Sequence, residues 1–388
     1  MISVEEALAR CLALVTPLPA EAVGLRHSIG RMMASPAIAN RDQPPFAASA
    51  MDGYALIGDP VPGDSFTVVG TAQAGKAYLG TVNPGQAVRI FTGAPVPFGA
   101  NRVVIQEDVT VSSSTITLKP NPDTARHIRP LGQDFKVGDR LAPRRIGPND
   151  LALMAAMNMA QVQVHRRPTV AIIATGDELV MPGEVPNPDQ IICSNSFTIA
   201  ALVEADGGIA RILPIARDTE GELRAVLSLA ADADLIVTIG GASVGDHDLV
   251  GPVLESLGMT RAFWKIAMRP GKPLMAGRLN GTPILGLPGN PVSSIVCAHL
   301  FVRPMVRALQ NRPDVAPIPH EAILGADVEP NGPRAHYMRA RLSDGVITPF
   351  DRQDSALIRI LSEANALLIR PLSDAAQKAG TKALYLAL

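Results

Sequence analysis

Apolar and polar positions alternate with a different period in each part of the chain. The opening stretch, "MISVEEALARCLALV", has the spacing of an amphipathic helix, with Ser3 and Glu6 placed as a capping box at its start. Residues 1 to about 50 read as helical, and the proline-rich "RDQPPF" is expected to stop the helix there. From about 56 to 140 the texture changes to short β-branched runs, "SFTVVG", "QAVRIFTG", "RVVIQEDVTV" and "STITLKP", set between Gly, Pro, Asn and Asp turns. "GPNDLALMAAMNMAQV" returns to helical spacing, so the β-rich part reads as an insertion into a helical base made of residues 1–55 and 141–167.

From 168 to 312 strands and helices alternate. "TVAIIAT", "ARILPIA", "DLIVTIGG", "AFWKIAM" and "PILGLPG" read as strands, with helices over 196–206, 219–231, from about 247 and after Asn290. This pattern predicts a doubly wound α/β domain with a largely parallel sheet. "RPDVAPIPH" is a proline-rich linker, and residues 313–388, with "YMRARLSDGVITPF" and "ALLIRPL", read as a small β domain. The fold class is thus multi-domain, α/β plus β.

Composition narrows the function. The chain has 388 residues, enough for several domains, and 35 basic residues balance 36 acidic ones with no run of one sign. A nucleic-acid partner is therefore not expected, and any recognition of an anion must be local. Nor is a membrane span expected, because "SSIVCAHLFVRPMV" is broken by His299, Arg303 and Pro304. The start lacks a basic segment of the secretory kind, so a cytoplasmic location is expected. Cys11, Cys193 and Cys297 lie far apart outside any CxxC pair, which points to neither disulfides nor a zinc site.

Ligands of open α/β sheets bind beyond the carboxyl ends of the strands. Several loops in this chain occupy that position. "TGDEL" carries Asp177 and Glu178, "ARDTEG" carries Asp218, "IGGASVGDHD" offers a Gly/Ser loop followed by Asp246 and Asp248, and "GLPGNPVSS" turns into a helix N-terminus. Taken singly, Asp218 and Asp246 are better read as helix N-caps and the glycine pairs as ordinary turns. Together they fit a phosphate held with magnesium, which takes one or two carboxylates along with substrate oxygens. "AMRPGKP" fixes Arg269 and Lys272 on a proline turn. It is not a nucleotide-binding lysine loop, since Pro273 stands where a hydroxyl residue is needed. For Asp52 in "SAMDGYAL" and Thr92 in "FTGAPVPFGANRVVIQED", a plain turn and a ligand contact are both open.

In this order, "SAMDGYAL", "RIFTGAPVPFGANRVVIQED", "TGDEL", "IGGASVGDHD", "AMRPGKP" and "GLPGNPVSS" closely resemble the molybdopterin molybdenumtransferase family, the MoeA type that also forms the E domain of gephyrin. The resemblance runs over nearly the whole chain. It implies four domains and an elongated homodimer whose active site is shared between one subunit's α/β domain and the other's N-terminal region. It also implies insertion of molybdate into adenylylated molybdopterin, with Mg²⁺, to give molybdenum cofactor and AMP. Contact with the molybdopterin-adenylylating enzyme and with acceptor molybdoenzymes is expected on the same ground.

Carried onto this chain, the resemblance gives Asp218, Asp246 and Asp248 the magnesium and the pyrophosphate, Asp248 first among them. Gly240, Gly241 and Ser243, with Pro288, Gly289, Asn290, Pro291 and Ser293, would hold the phosphate and pterin ends. Arg269, Lys272 and Pro273 would form the molybdate pocket, completed by Arg334 and Ser355, with Arg339 competing for the place of Arg334. Lys265, Glu178, Asp134, Thr92 and Asp52 would line the rest of the cleft. The chain departs from the family in having Ala47 and Ala48 where Asp-Asn is common, and Arg269 where many members carry Lys. Two other readings share the resemblance: an adenylyltransferase that activates molybdopterin, because that sister family has the same α/β domain, and a non-catalytic scaffold.

Overall fold

In the computed structural model, which describes residues 1–241 and 249–388, helix α1 spans Val4–Leu12. Ser3 Oγ accepts the Glu6 N–H at 3.1 Å, while the Glu6 carboxylate turns to Arg10, so half of the expected capping box forms. The helix buries Val4, Ala7 and Cys11. Beyond it the helical expectation for residues 1–50 fails. Pro17 and Pro19 follow at once, and the chain continues in short paired segments such as Ala37–Ile38 with Arg140–Leu141 and Ala48–Ser49 with Ile128–Arg129.

The described residues fall into two compact units: Met1–Glu21, Gly30–Met32 and Val164–Leu388 in one, Ala22–Ile29 and Met33–Gln163 in the other. The second unit contains a six-stranded sheet of β1 (Gly53–Leu56), β2 (Ser65–Ala72), β3 (Gln86–Ile90), β4 (Arg102–Ile105), β5 (Val109–Ser112) and β6 (Thr115–Leu118), in the order β4-β1-β3-β2-β6-β5. Strand β1 is buried along its whole length between β3 and β4. The unit also holds α2 (Pro148–Ala156), the helix expected from "GPNDLALMAA".

In the first unit the α/β domain comprises β7 (Thr169–Ala174), α3 (Asn195–Ala205), β8 (Ile209–Ile212), α4 (Glu220–Ser228), β9 (Leu235–Ile239), α5 (Val250–Ser256), β10 (Thr260–Trp264), β11 (Met268–Arg269), β12 (Met275–Leu279), β13 (Thr282–Leu287), α6 (Pro291–Cys297) and α7 (Arg303–Leu309). The main sheet runs β8-β7-β9-β13-β12-β10. Its first four strands are parallel. Strand β12 pairs antiparallel with both of its neighbours, β13 and β10, so the expected parallel sheet carries an antiparallel edge. Alternate residues of β7 and β9 pack on opposite faces: Val170, Ile172, Leu235 and Val237 join α3, α6 and α7, while Ala171, Ile173 and Ile236 join α4 and α5. The helical run Pro291–Leu309 is long and apolar enough to cross a membrane, yet 78% of it is buried in this core.

The remaining residues form a closed barrel. Strands β14 (His320–Leu324), β15 (Ala335–Ser343), β16 (Val346–Pro349), β17 (Ala366–Arg370) and β18 (Lys382–Ala387), with helix α8 (Ile358–Glu363) before β17, run β15-β16-β14-β18-β17, and β17 closes onto β15. The two-residue strand β11 adds to the open side of β15, pairing Met268 with Ala335 and Arg269 with His336. One segment of the α/β domain is thereby registered against the barrel.

Candidate functional site

The carboxyl ends of β7, β9 and β13 are tied together, with Thr175 N–H donating to Ile239 O at 2.9 Å and Gly240 N–H to Leu287 O at 3.1 Å. Above them opens a cavity of about 520 Å³ lined by Glu178, Asp218, Gly240, Gly241, Pro273 and the run Pro288–Pro291, together with Thr175, Ser194 and Asn195. The glycine pair is dictated by space. A Cβ on Gly240 would stand 2.7 Å from the Thr175 carbonyl oxygen, and one on Gly241 2.0 Å from the Val250 side chain, both at positive φ.

Asp218 is exposed and faces the cavity without capping α4, because Thr219 takes that place and accepts from Glu222 N–H at 3.3 Å. The Asp218 N–H donates instead to Asp177 Oδ1 at 3.0 Å, which locks two strand-end loops together. Arg217 strengthens this link by donating to the carbonyls of Asp177 and Leu179 at 3.0 and 2.9 Å. Neither Asp218 nor Glu178 makes an ion pair with any described residue, which leaves two hard oxygen donors on one wall. Asp246, Asp248 and Ser243 lie outside the described residues.

The turn between β11 and β12 stands between two cavities. Pro273 lines the one just described, whereas Arg269 opens onto a second, of about 340 Å³, shared with His336, Arg370 and the barrel loop 326–332. Gly271, at φ 110°, is wedged against Met268 Cε and Cys297 Sγ, so no side chain fits there. Arg269 and Lys272 are exposed, and neither side chain has a hydrogen-bond or ion-pair partner among the described residues. Arg334, one residue before the β15 partner of Met268, is half-exposed and equally unpaired. Arg339, its competitor, is 1% exposed and donates to the carbonyls of Leu357 and Arg352. Three of its five N–H donors are spent on the loop 352–357. Ser355 O accepts the N–H of Val292 at 3.0 Å, which brings the barrel loop to the start of α6. Ser293 is buried behind the cavity wall, and Lys265 holds its ammonium 4.4 Å from the Trp264 ring centre, away from the cavity lining.

In the other unit, Asp52 and Thr92 are joined, since Asp52 Oδ1 accepts both the backbone N–H and the hydroxyl of Thr92 at 2.7 Å. These two bonds, with the Arg89 charge, hold the Asp52 carboxyl below its ordinary range. Asp134 lines a cavity of about 590 Å³ with Gly93, Arg129 and the "QPPF" turn. Asn195 and Arg217 are the residues that motif reading passed over. Asn195 Nδ2 donates to Gly289 O at 2.9 Å, so it braces the glycine turn from the start of α3. Its signal in the sequence is only the polar trio "SNS" ahead of a helix, indistinguishable from an ordinary cap.

Three family models match in chain order: the MoeA N-terminal region (domain I and II) over residues 2–158, a probable molybdopterin binding domain over 171–308, and the MoeA C-terminal region (domain IV) over 321–388. A molybdopterin molybdenumtransferase of Haemophilus influenzae is 36% identical, with 82% of this chain and 80% of that one aligned, and one of Nostoc is 34% identical over 95% of this chain and 88% of that one. The chain belongs to the MoeA family. Two crystal structures of a MoeA protein from Pyrococcus horikoshii share its fold, with TM-scores of 0.87 and 0.81 at 28% and 25% identity, covering all of this chain and 99% and 100% of theirs. The MoeA C-terminal model coincides with the closed barrel, and the molybdopterin-binding model with the doubly wound sheet.

Proposed function

We propose that this chain, as a transferase of molybdenum cofactor biosynthesis, inserts molybdate into adenylylated molybdopterin and releases AMP. The observation that carries the reading is the turn 268–273. It offers Pro273 to the cavity at the strand ends and carries two cations, Arg269 and Lys272, that have no hydrogen-bond or ion-pair partner among the described residues. A small dianion rewards such pre-fixed cations, since little ordering remains when it binds. The glycine turns at 240–241 and 289–290 suit the phosphate and pterin ends of the other substrate, because their backbone approaches without a Cβ in the way.

The donor set on the cavity lining suits magnesium: Asp218 and Glu178 are hard oxygens without an ion pair among the described residues, and the expected partners Asp246 and Asp248 follow the Gly240–Gly241 pair in sequence. Magnesium there would neutralise charge on the pyrophosphate. The chain's own contribution is to hold Asp218 still through Asp177 and Arg217. Asp52, Thr92 and Asp134 would be supplied by the partner subunit of a cytoplasmic homodimer. Substrate would arrive from the adenylylating enzyme, and product would pass to acceptor molybdoenzymes. The flanking MoeA regions weigh against the adenylyltransferase reading. Asp218→Asn is the test: AMP release should fall by about 10²-fold with the fold unchanged, as expected when a group that organises charge in the transition state is lost. Full activity in that variant would remove Asp218 from the site.

A further inference from the structure

We infer that Asn195 is a positioning residue for the substrate cavity: it turns the Gly289–Asn290 peptide so that the Asn290 N–H faces the adenylylated pterin as a hydrogen-bond donor. The inference rests on the proposed reaction and concerns how the chain prepares one of its donors.

Asn195 opens α3 and is only 9% exposed, so both ends of its amide need partners inside the protein. Ser194 Oγ donates to its Oδ1 at 3.4 Å, and its Nδ2 donates to Gly289 O at 2.9 Å. The two bonds agree on which end of the amide is the nitrogen. Helix α3 is itself fixed, since Ile199 and Val203 are buried in one cluster with Val170 and Ile172 of β7. A buried amide on a rigid helix thus reaches an exposed turn, Gly289 and Asn290. Water could satisfy an exposed carbonyl equally well, so satisfaction alone does not call for this bond. What it supplies is orientation, because glycine leaves the peptide that follows it free to rotate.

The Gly289–Asn290 peptide is trans, and its C=O and N–H therefore point to opposite sides. With the carbonyl held by the buried amide, the N–H is turned away from it, toward the side on which the turn lines the cavity. The neighbouring N–H groups are committed: Gly240 to Leu287 O at 3.1 Å, Val292 to Ser355 O at 3.0 Å and Ser294 to Asn290 O at 3.0 Å. The Asn290 N–H has no acceptor among the described residues. A Cβ on Gly289 would stand 3.6 Å from Gly240 Cα, which sets this donor beside the other glycine turn of the cavity. The acceptor is a phosphate oxygen of the substrate, whose charge strengthens such a bond. The donor is aimed before the substrate arrives, so little ordering remains to oppose binding.

The experiment is steady-state AMP release by the full-length protein, with adenylylated molybdopterin and molybdate varied separately. The variants are Asn195→Leu, Asn195→Asp, Asn290→Ala, Asn290→Pro and the Asn195→Leu/Asn290→Pro pair. Asn290 has φ −58°, which proline accepts, so Asn290→Pro deletes the N–H, and Asn290→Ala is its reference with the N–H retained. Asn195→Leu should raise the pterin KM by about tenfold, with the molybdate KM and kcat within about threefold. Asn195→Asp should raise it further, because a carboxylate oxygen then faces the Gly289 carbonyl. Asn290→Pro should exceed Asn290→Ala by about the same tenfold, and adding Asn195→Leu to it should change nothing more, since both remove one donor. A purely structural Asn195 would lower stability and leave the two KM values in their wild-type ratio. An unchanged pterin KM in folded Asn195→Leu overturns the proposal, as does a pair whose losses multiply. If Asn290→Pro does not fold, the two Asn195 variants decide by the same split of KM values. A wild type with no molybdate-dependent AMP release overturns the proposed function itself, and this inference with it.

Discussion

Two side chains 40 positions apart, Asp52 and Thr92, share one carboxylate oxygen. Thr92→Val keeps the backbone donor and deletes the hydroxyl, so the Asp52 carboxyl should titrate higher than in wild type, toward its ordinary range, when followed by carbon-detected NMR. An unmoved titration would mean the hydroxyl bond does not form. His299 and His336 give a second residue-scale prediction. Burial brings each down to about 4, helped by Arg303 for His299 and by Arg269, Arg339, Arg370 and Arg334 for His336. Each binds fewer protons folded than unfolded, so stability should decline as pH falls from about 6.5, where the unfolded imidazoles charge, toward 4. His336→Asn should flatten that decline in unfolding experiments, and an identical pH profile would contradict the assignment. The sequence left Asp52 and Thr92 undecided because the bond joining them is non-local. It left Asp218 open as a helix cap, and the choice fell to its neighbour Thr219, a competition between adjacent residues that composition cannot judge. Arg334 and Arg339 looked alike in sequence because burial alone separates them.

The turn 268–273 and the loop "TGDEL" carry the site at the scale of elements. Gly271→Ala puts a methyl against Met268 and Cys297 at a φ that side chains avoid, and should cost roughly 2–4 kcal/mol in chemical denaturation. A neutral substitution would mean that the turn relaxes freely. Arg217→Ala frees the carbonyls of Asp177 and Leu179 and should raise the KM for the adenylylated pterin more than it lowers stability. Strands such as β7 were legible because a parallel strand covered on both faces reads as an unbroken apolar run. The antiparallel edge of β12 and β10 was not, since strand direction depends on a partner's position and leaves no local trace. Residues 13–50 carried apolar spacing that looked helical, but Pro17, Pro19, Pro36, Pro44 and Pro45 remove the donors a helix needs.

In the whole molecule the predicted site residues divide between two compact units, Asp52, Thr92 and Asp134 in one and the cavity and cationic turn in the other. The proposed homodimer joins the halves across subunits. Mixing Asp52→Ala protein with Lys272→Ala protein under subunit exchange should then restore activity that neither shows alone, because each mixed dimer holds one intact site. Failure to restore it would place both halves in one chain. Motifs spread over nearly the full length made the family legible in the sequence. The meeting of Arg269 with His336 through β11 and β15 was not legible, because a two-residue strand has no periodicity to read. The central claim is tested most directly by incubating the purified protein with adenylylated molybdopterin, Mg²⁺ and molybdate and measuring AMP. The account predicts AMP release that depends on molybdate and yields cofactor able to activate an apo-molybdoenzyme; AMP release indifferent to molybdate, or none, would contradict it.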